Sequence, residues 1–307
     1  MQQWQTLYNL WERTCVSIPK GSTTDVAETW SDEIKTLYAL GIGMEETLQF
    51  LYFNKPSFNE FKNWLNSFQN ENISKKSANE NVLTNNDLNF WNENGYVVLK
   101  NVIPKQQCLA TQQAIWDFMG MDLDDSSTWY NTHPNQGGLM LTFTQHPTLN
   151  ANRNSPIIQK AFEQLYASTQ IYKTIDKVSF NPPETRSFNF LGSKLHWDVS
   201  LVPPIPFALQ GLLYLTDCGP NDGAFHCVPG FHHEIENWLN NLPPNINPRE
   251  EAIKVLKPIA VSGNAGDFVI WHQALPHCAT PNYGSSPRMV QYLTYLPVQG
   301  QIQKVWK

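Results

Sequence analysis

The sequence predicts a mainly β chain with flanking helices, a sandwich or jelly roll, behind a small helical N-terminal subdomain. Three observations carry that prediction. After about residue 170, short strand-like runs follow one another, separated by Gly, Pro and Asn turns. Before about residue 70, apolar side chains instead recur at helical spacing. Between the two textures lies a polar stretch, Asn70 to Asn81, rich in Asn, Ser, Lys and Glu, which reads as a linker.

Taken in order, Trp30, Ile34, Leu37 and Leu40 mark a helix with Ser22 or Thr23 as its N-cap. Met44, Leu48 and Leu51 mark a second, ending near Asn54-Lys55-Pro56. Ser57-x-x-Glu60 is a capping box opening a third, with Phe61, Trp64, Leu65 and Phe68 on one face as core. The division expected is 1–80 for the helical subdomain and linker and 81–307 for the main domain. There, a helix from Thr84 to near Gly95 leads into a strand, Tyr96-Val97-Val98-Leu99, and then a helix from Gln106 to Met119. Strands are expected at Thr174 to Phe180, Leu209 to Leu215, Lys257 to Val261, Asp267 to Trp271 and Met289 to Leu296. Asn221-Asp222-Gly223 and Pro229-Gly230 supply turns. Asn240 to Pro248 reads as a long surface loop and a candidate lid.

Composition bounds the function. The chain has 307 residues, 21 Lys plus Arg against 27 Asp plus Glu, and a formal net charge of −6. Apolar residues at 41% and aromatics at 12% place it among folded domains, not disordered chains. An acidic balance without a basic block argues against nucleic acid and anionic membrane as partners. No apolar run approaches the ~18 residues of a membrane span, and the start of the chain lacks the basic-then-apolar order of a secretory signal. The five cysteines, Cys15, Cys108, Cys218, Cys227 and Cys278, are scattered and unpaired in sequence, as expected of reduced thiols in a cytoplasmic protein.

His196-Trp197-Asp198 carries the chemistry. On extended backbone, residues i and i+2 point the same way, so an imidazole and a carboxylate project together. These are two of the three ligands of a 2-His-1-carboxylate site for Fe(II) with open positions. A second histidine, His277, follows the strand pattern Gly266 to Trp271. Arg288 stands eleven residues further on, and its guanidinium fork suits a carboxylate. Metal triad and arginine together are the equipment for 2-oxoglutarate.

From about residue 88 to 298 the chain resembles the phytanoyl-CoA dioxygenase family of Fe(II)/2-oxoglutarate oxygenases. Phe90-Trp91-Asn92-Glu93-Asn94-Gly95-Tyr96-Val97-Val98-Leu99 is similar to the family's opening helix and strand. His196-Trp197-Asp198 matches its ligand pair. Asn221 to His232 resembles its Gly-rich turn, with Phe231 where Ser is usual. The resemblance implies a double-stranded β-helix (cupin-like) core, with His196, Asp198 and His277 on iron and Arg288 on the distal carboxylate of 2-oxoglutarate. It implies hydroxylation of a small molecule with O2, releasing succinate and CO2. Related halogenases replace the carboxylate ligand with a small residue, so Asp198 speaks for oxygen chemistry. The family's hydroxyl two positions after the second histidine is here Ala279, which leaves Thr280 beside it or Tyr214 as candidate second donors to the co-substrate.

Several residues have competing readings. His272 rivals His277, but the spacing to Arg288 favours His277. His226, His232 and His233 could form a second metal site, though a hydrogen-bonded turn is the favoured reading. Trp129, Tyr130, His133 and His146 could line a substrate pocket or simply pack. Arg153 and Lys177 are expected as ordinary surface or strand-flanking charges. The N-terminal helices either cover the mouth of the site or form a dimer contact. The rival for the whole chain is a non-catalytic cupin-like module binding a metal or a carboxylate.

Overall fold

The computed structural model describes residues 2–16, 26–68, 80–300, 303 and 305–306. Ser22, Thr23 and most of the predicted linker lie outside them. Four helices form the N-terminal part: α1 (Gln2–Cys15), α2 (Val26–Leu40), α3 (Met44–Asn54) and α4 (Phe58–Ser67). Leu7 and Leu10, Leu37 and Leu40, Leu51, and Phe61 and Leu65 close on one another as a separate apolar cluster. Ser57 caps α4 as predicted, its Oγ accepting from the Glu60 N–H while Glu60 accepts from the Ser57 N–H at 2.8 Å. Glu33 is wholly buried there, and both of its oxygens accept from Arg13 at 2.5 Å.

The main body opens with α5 (Asn85–Asn94), capped by Thr84 and closed by Gly95 at φ +73°. A Cβ at Gly95 would also run into the His232 ring. There follow β1 (Tyr96–Leu99), α6 (Lys105–Met119), β2 (Gln136–Gly137), β3 (Met140–Leu141), α7 (Pro147–Arg153) and α8 (Pro156–Tyr166). Next come β4 (Ile171–Lys173), β5 (Val178–Asn181), β6 (Leu209–Tyr214) and β7 (Phe225–Cys227). Two helices, α9 (Phe231–Asn241) and α10 (Pro248–Val255), precede β8 (Ile259–Val261), β9 (Phe268–His272), β10 (His277–Ala279), β11 (Arg288–Tyr292) and β12 (Tyr295–Pro297).

Seven strands form one sheet in the order β1-β9-β6-β11-β5-β3-β2, and β10-β7-β8 form a smaller one, every pairing antiparallel. Strand periodicity divides the core between the faces of the large sheet. Phe268, Ile270, Leu209, Leu213 and Met289 point one way, onto Ile115, Trp116, Ile158 and Phe162 of α6 and α8. Val269, Trp271, Leu212, Tyr214 and Val290 point the other way, onto Phe225, Cys227, Val261 and Cys278 of the small sheet. The large sheet is therefore a middle layer covered on both faces. That is why Phe268-Val269-Ile270-Trp271 is continuously apolar and not alternating. This is the double-stranded β-helix that the family resemblance implies, flanked by helices.

Three boundaries differ from expectation. The run Thr174 to Phe180 becomes strand only at Val178. Met289 to Leu296 breaks into β11 and β12, because β12 leaves the large sheet to pair with β4. The predicted loop Asn240 to Pro248 holds as a connector over 242–247, while its two ends belong to α9 and α10. Asn247 and Pro248 are an N-cap and a first helical residue, where loop-like composition is also helix-start composition. No described helix is long and apolar enough to cross a membrane, and all five cysteines are free thiols.

Candidate metal centre and its cavity

His196-Trp197-Asp198 lies in no sheet ladder, yet its period-two alternation holds. Leu195, Trp197 and Val199 are buried, and His196 and Asp198 face outward into a cavity. Three contacts hold the segment extended. His196 and His277 exchange backbone N–H···O bonds of 3.0 and 2.9 Å. Trp197 Nε1 donates to the Ala274 carbonyl at 2.9 Å. From α10, the Arg249 fork donates to the carbonyls of Trp197 and Val199, both at 2.8 Å. The loop that composition suggested as a lid thus leads directly into a helix whose Arg249 braces the ligand segment.

His277 opens β10 and is ordered by its register with Cys227 of β7. The candidate ligand atoms of His196, Asp198 and His277 all lie within 4.8 Å of one another, and no other such cluster occurs among the described residues. His277 Nε2 is 3.2 Å from Asp198 Oδ2, and His196 Nε2 is 3.6 Å from Asp198 Oδ1. Each imidazole has its Nδ1 against a carbonyl, His196 on Lys194 at 2.8 Å and His277 on Leu275 at 3.1 Å. With Nδ1 anchored there, Nε2 of both rings turns toward the common centre. Burial and the neighbouring His277 hold the His196 pKa below its usual value, outweighing the Lys194 carbonyl and Asp198. That favours the neutral imidazole a metal needs. Burial pushes the Asp198 carboxyl up, but hydrogen bonds from His277 and Gln210 and the histidine charges outweigh it, holding it far below the carboxylate range.

Two orienting groups had no signal in the sequence. Gln210 Nε2 donates to Asp198 Oδ2 at 2.8 Å, and Trp271 Nε1 donates to Gln210 Oε1 at 2.9 Å. The amide is thereby fixed by one indole and aims its NH2 at the carboxylate. A glutamine on a strand is unremarkable until β9 is placed beside β6, with Gln210 opposite Trp271.

Arg288 begins β11 opposite Asn181 of β5 and lines the same cavity as the triad. It is 2% exposed. One guanidinium nitrogen reaches Ser179 Oγ at 3.4 Å, and its Nε has no hydrogen-bond partner. A buried guanidinium left incompletely bonded is costly unless an anion completes it. The donor set at the other side, two imidazole nitrogens and a carboxylate, is that of a non-haem Fe(II) site. The residues present fit both iron and a dicarboxylate co-substrate. The cavity is about 550 Å³, the size of a small-molecule site.

The remaining candidates separate. Neither Tyr214 nor Thr280 lines the cavity. The Tyr214 hydroxyl donates to the Val261 carbonyl at 2.5 Å and accepts from the Phe225 N–H at 3.1 Å, and its ring lies 5.9 Å from the Arg288 guanidinium. Thr280 Oγ1 turns back to the Ala224 carbonyl at 3.5 Å. Both hydroxyls go to backbone, so the expectation of a second donor from either is corrected; Ser179 is the hydroxyl beside Arg288. His272 packs among Trp91, Phe207 and His232, away from the triad. His232 and His233 approach the Asn92 carbonyl, and His226 the Ala224 carbonyl, with no shared centre. Trp129, Tyr130, His133 and His146 are packed or capping residues outside the cavity wall.

Arg153 corrects the expectation of a surface charge. It is 1% exposed, and its guanidinium donates to the carbonyls of Thr144 at 2.7 Å and Asp176 at 2.9 Å and to Asn150 Oδ1 at 2.9 Å. Burial lowers its pKa to about 10 against the opposing pull of Asp176, Glu46 and Tyr38. Lys177 is half-exposed, lines the cavity and pairs with Glu45 at 2.5 Å. The N-terminal helices contribute to the cavity wall through Tyr38, Gly43, Met44, Glu45 and Glu46.

A jelly roll with such a cluster and a buried arginine on one cavity defines the class of mononuclear non-haem iron, 2-oxoglutarate-dependent oxygenases. Within it, the chain belongs to the phytanoyl-CoA dioxygenase family, whose model matches residues 91–290. Fe(II) and 2-oxoglutarate are the cofactor and co-substrate of that family. A Dictyostelium discoideum protein named "Putative phytanoyl-CoA dioxygenase" is 25% identical over a 264-residue alignment, covering 69% of this chain and 75% of that one. Among solved structures, EctD from S. alaskensis with 2-oxoglutarate and 5-hydroxyectoine superposes with a TM-score of 0.53 at 16% identity, covering 76% of this chain and 83% of its own. The α-ketoglutarate-dependent carbocyclase SnoK from nogalamycin biosynthesis gives 0.51 at 18% identity, covering 71% and 85%. At such identities these structures speak for the fold alone.

Proposed function

We propose that this protein hydroxylates an unactivated C–H bond of a small molecule, using Fe(II), 2-oxoglutarate and O2 and releasing succinate and CO2. His196, Asp198 and His277 hold the iron, and Arg288 holds the distal carboxylate of 2-oxoglutarate. Residues 81–307 form the dioxygenase domain, with 1–80 as an added helical unit. The observation that supports the reading most is the shared cavity, with three convergent ligand atoms and a buried, under-bonded guanidinium on one wall. Bound iron with 2-oxoglutarate supplies the oxidising power for C–H cleavage.

The chain's own contribution is placement. The carbonyls of Lys194 and Leu275 fix the imidazole tautomers, and Gln210 fixes the carboxylate rotamer. Trp271 and Phe225 wall the His277 side with apolar surface that limits water. Arg288 sets the co-substrate in one orientation through its planar fork. Asp198 in the carboxylate position supports oxygen transfer, since it leaves no ligand gap for a halide.

An anaerobic titration of metal-free protein with Fe(II) and 2-oxoglutarate tests the reading through the visible charge-transfer band. Wild type is expected to show the band, and Arg288→Lys to require ~10–100-fold more co-substrate, the ~1.4–2.7 kcal/mol of a lost charge-assisted fork. No band at saturation would leave the non-catalytic binding module as the better description.

A further inference from the structure

The cavity has a second charged wall opposite in origin to the metal wall. It comes from the start of α3, which lies outside the matched family region, and from the residues just before β5. Besides Asp198, three carboxylates line the cavity: Glu45, Glu46 and Asp176. Glu45 is neutralised by Lys177 at 2.5 Å. Glu46 and Asp176 face no cation on the cavity side. Glu46 accepts from the Thr144 hydroxyl and, at 3.4 Å, from the Gly43 N–H; Asp176 accepts from the Thr174 hydroxyl. Arg153 stands behind both and outside the cavity lining, with its guanidinium bonded to carbonyls and an amide oxygen, not to the carboxylates.

The charges then count as follows. At the metal wall, Fe(II), Asp198, a 2-oxoglutarate dianion and Arg288 sum to zero. At the α3 wall, Glu45 and Lys177 cancel, and Arg153 offsets one of the two charges that Glu46 and Asp176 carry when both are ionised. Burial raises the Asp176 carboxyl against the pull of the Thr174 hydroxyl and Arg153, and a cation in the cavity would favour its ionised form. One negative charge remains, presented to the cavity by two carboxylates in a partly desolvated setting, where an uncompensated charge is unfavourable. Around it stand Tyr38, Met44, Met140 and Ile175, surfaces suited to an alkyl chain or a cation face.

We propose that this wall selects the substrate: a small molecule carrying one cationic amine on an apolar skeleton, its ammonium held by Glu46 and Asp176 while a carbon is presented to the metal wall. Glu46 and Asp176 are specificity residues, and α3 is part of the substrate site. The inference rests on the oxygenase reading for treating this cavity as a substrate site. It also disfavours a CoA thioester, whose phosphates would meet the same excess negative charge.

The test uses probes with one skeleton and three charges: n-pentylamine, n-pentanol and pentanoate, with octanoyl-CoA as a larger anion. Binding is measured by calorimetry on full-length metal-free protein, and again on protein loaded anaerobically with Fe(II) and 2-oxoglutarate. The expected result is n-pentylamine at least ~10-fold tighter than n-pentanol, weakening with salt, and both anions weakest. Asp176→Asn or Glu46→Gln should shrink the amine preference at least ~5-fold while leaving n-pentanol binding unchanged. Should Asp176→Asn fail to fold, Glu46→Gln alone carries the comparison, since its residue sits on a helix end. Equal binding of amine and alcohol, a preference for an anion, or an amine preference that survives both substitutions overturns the proposal. Amine selectivity without any Fe(II)/2-oxoglutarate band would instead sink the cofactor reading and leave standing only the amine recognition by Glu46 and Asp176.

Discussion

The jelly-roll body and the N-terminal helices meet at one cavity but are held together by different forces. The body's two apolar clusters lie on opposite faces of the same seven-stranded sheet, so its ladders and its packing share the same residues. The helices have their own cluster, and the hydrogen bonds and ion pairs that join them to the body at the cavity are polar. Gln145 donates to the Gly41 carbonyl at 2.7 Å, Thr142 to Glu45 at 3.2 Å, Thr144 to Glu46, and Lys177 pairs with Glu45. Polar contacts at a wet seam contribute on the order of 1 kcal/mol each, while a buried aliphatic side chain contributes several. The metal wall is therefore rigid by construction, and the α3 wall is the part that can yield. A pocket built this way can keep its chemistry fixed while its recognition surface varies.

Matched core truncations would break this comparison most severely. Ile270→Ala, beneath the large sheet, and Leu37→Ala, within the helical cluster, both remove fully buried branched side chains. Each is expected to cost ~2–5 kcal/mol. Ile270→Ala should lower the main melting transition and weaken the Fe(II)/2-oxoglutarate band at elevated temperature. Leu37→Ala should loosen residues 26–54 in hydrogen exchange and leave that band in place. If Leu37→Ala lowers the main transition as much as Ile270→Ala does, the two regions form one cooperative unit and the contrast fails.

Acid should act on the body through His272. Burial, with the nearby His232 and His233, lowers its pKa to about 4. Its Nδ1 also accepts from the Ala274 N–H at 2.9 Å, a bond that protonation of that nitrogen would remove. The folded pKa lies below the unfolded value of ~6.5, so the unfolded chain binds the proton more readily. The contribution is complete above about pH 6.5 and declines as pH falls toward 4. It amounts to ~2 kcal/mol between pH 7 and pH 5. Chemical denaturation at both values should show His272→Gln losing that much less stability than wild type on acidification. Equal losses would mean that His272 titrates normally in the folded protein.

The two regions also differ in how far sequence reveals them. His196, Asp198, His277 and Arg288 stand out because period-two backbone and family spacing are local signals, and the structure places all four on one cavity. The groups that steer them carry no local signal. Gln210 acquires its partner only when β6 and β9 pair, and Arg249 only when α10 folds back over the ligand segment. Arg153 read as a surface charge because burial of a guanidinium among carbonyls depends on the packing of three separate segments. Glu45 and Glu46 are first-turn acids of α3, where acidic residues are common and carry no signal of a cavity. Tyr214 and Thr280 show the opposite error: suitable chemistry near the right strand, with hydroxyls already engaged by backbone.

The smallest effect offers the sharpest view of the seam. Glu45 and Lys177 form an ion pair across it at 2.5 Å, with 48% and 36% of their side chains exposed. At that exposure solvent screening leaves a coupling of ~0.2–1 kcal/mol, far too little to move the melting of the body. A double-mutant cycle with Glu45→Gln and Lys177→Met should return a coupling in that range in low salt and less in high salt. Hydrogen exchange near residues 41–46 should rise in each single variant without further change in the double, since either substitution already opens the pair. A coupling well above this range would mean that the seam excludes water, and the α3 wall would then be as rigid as the metal wall it faces.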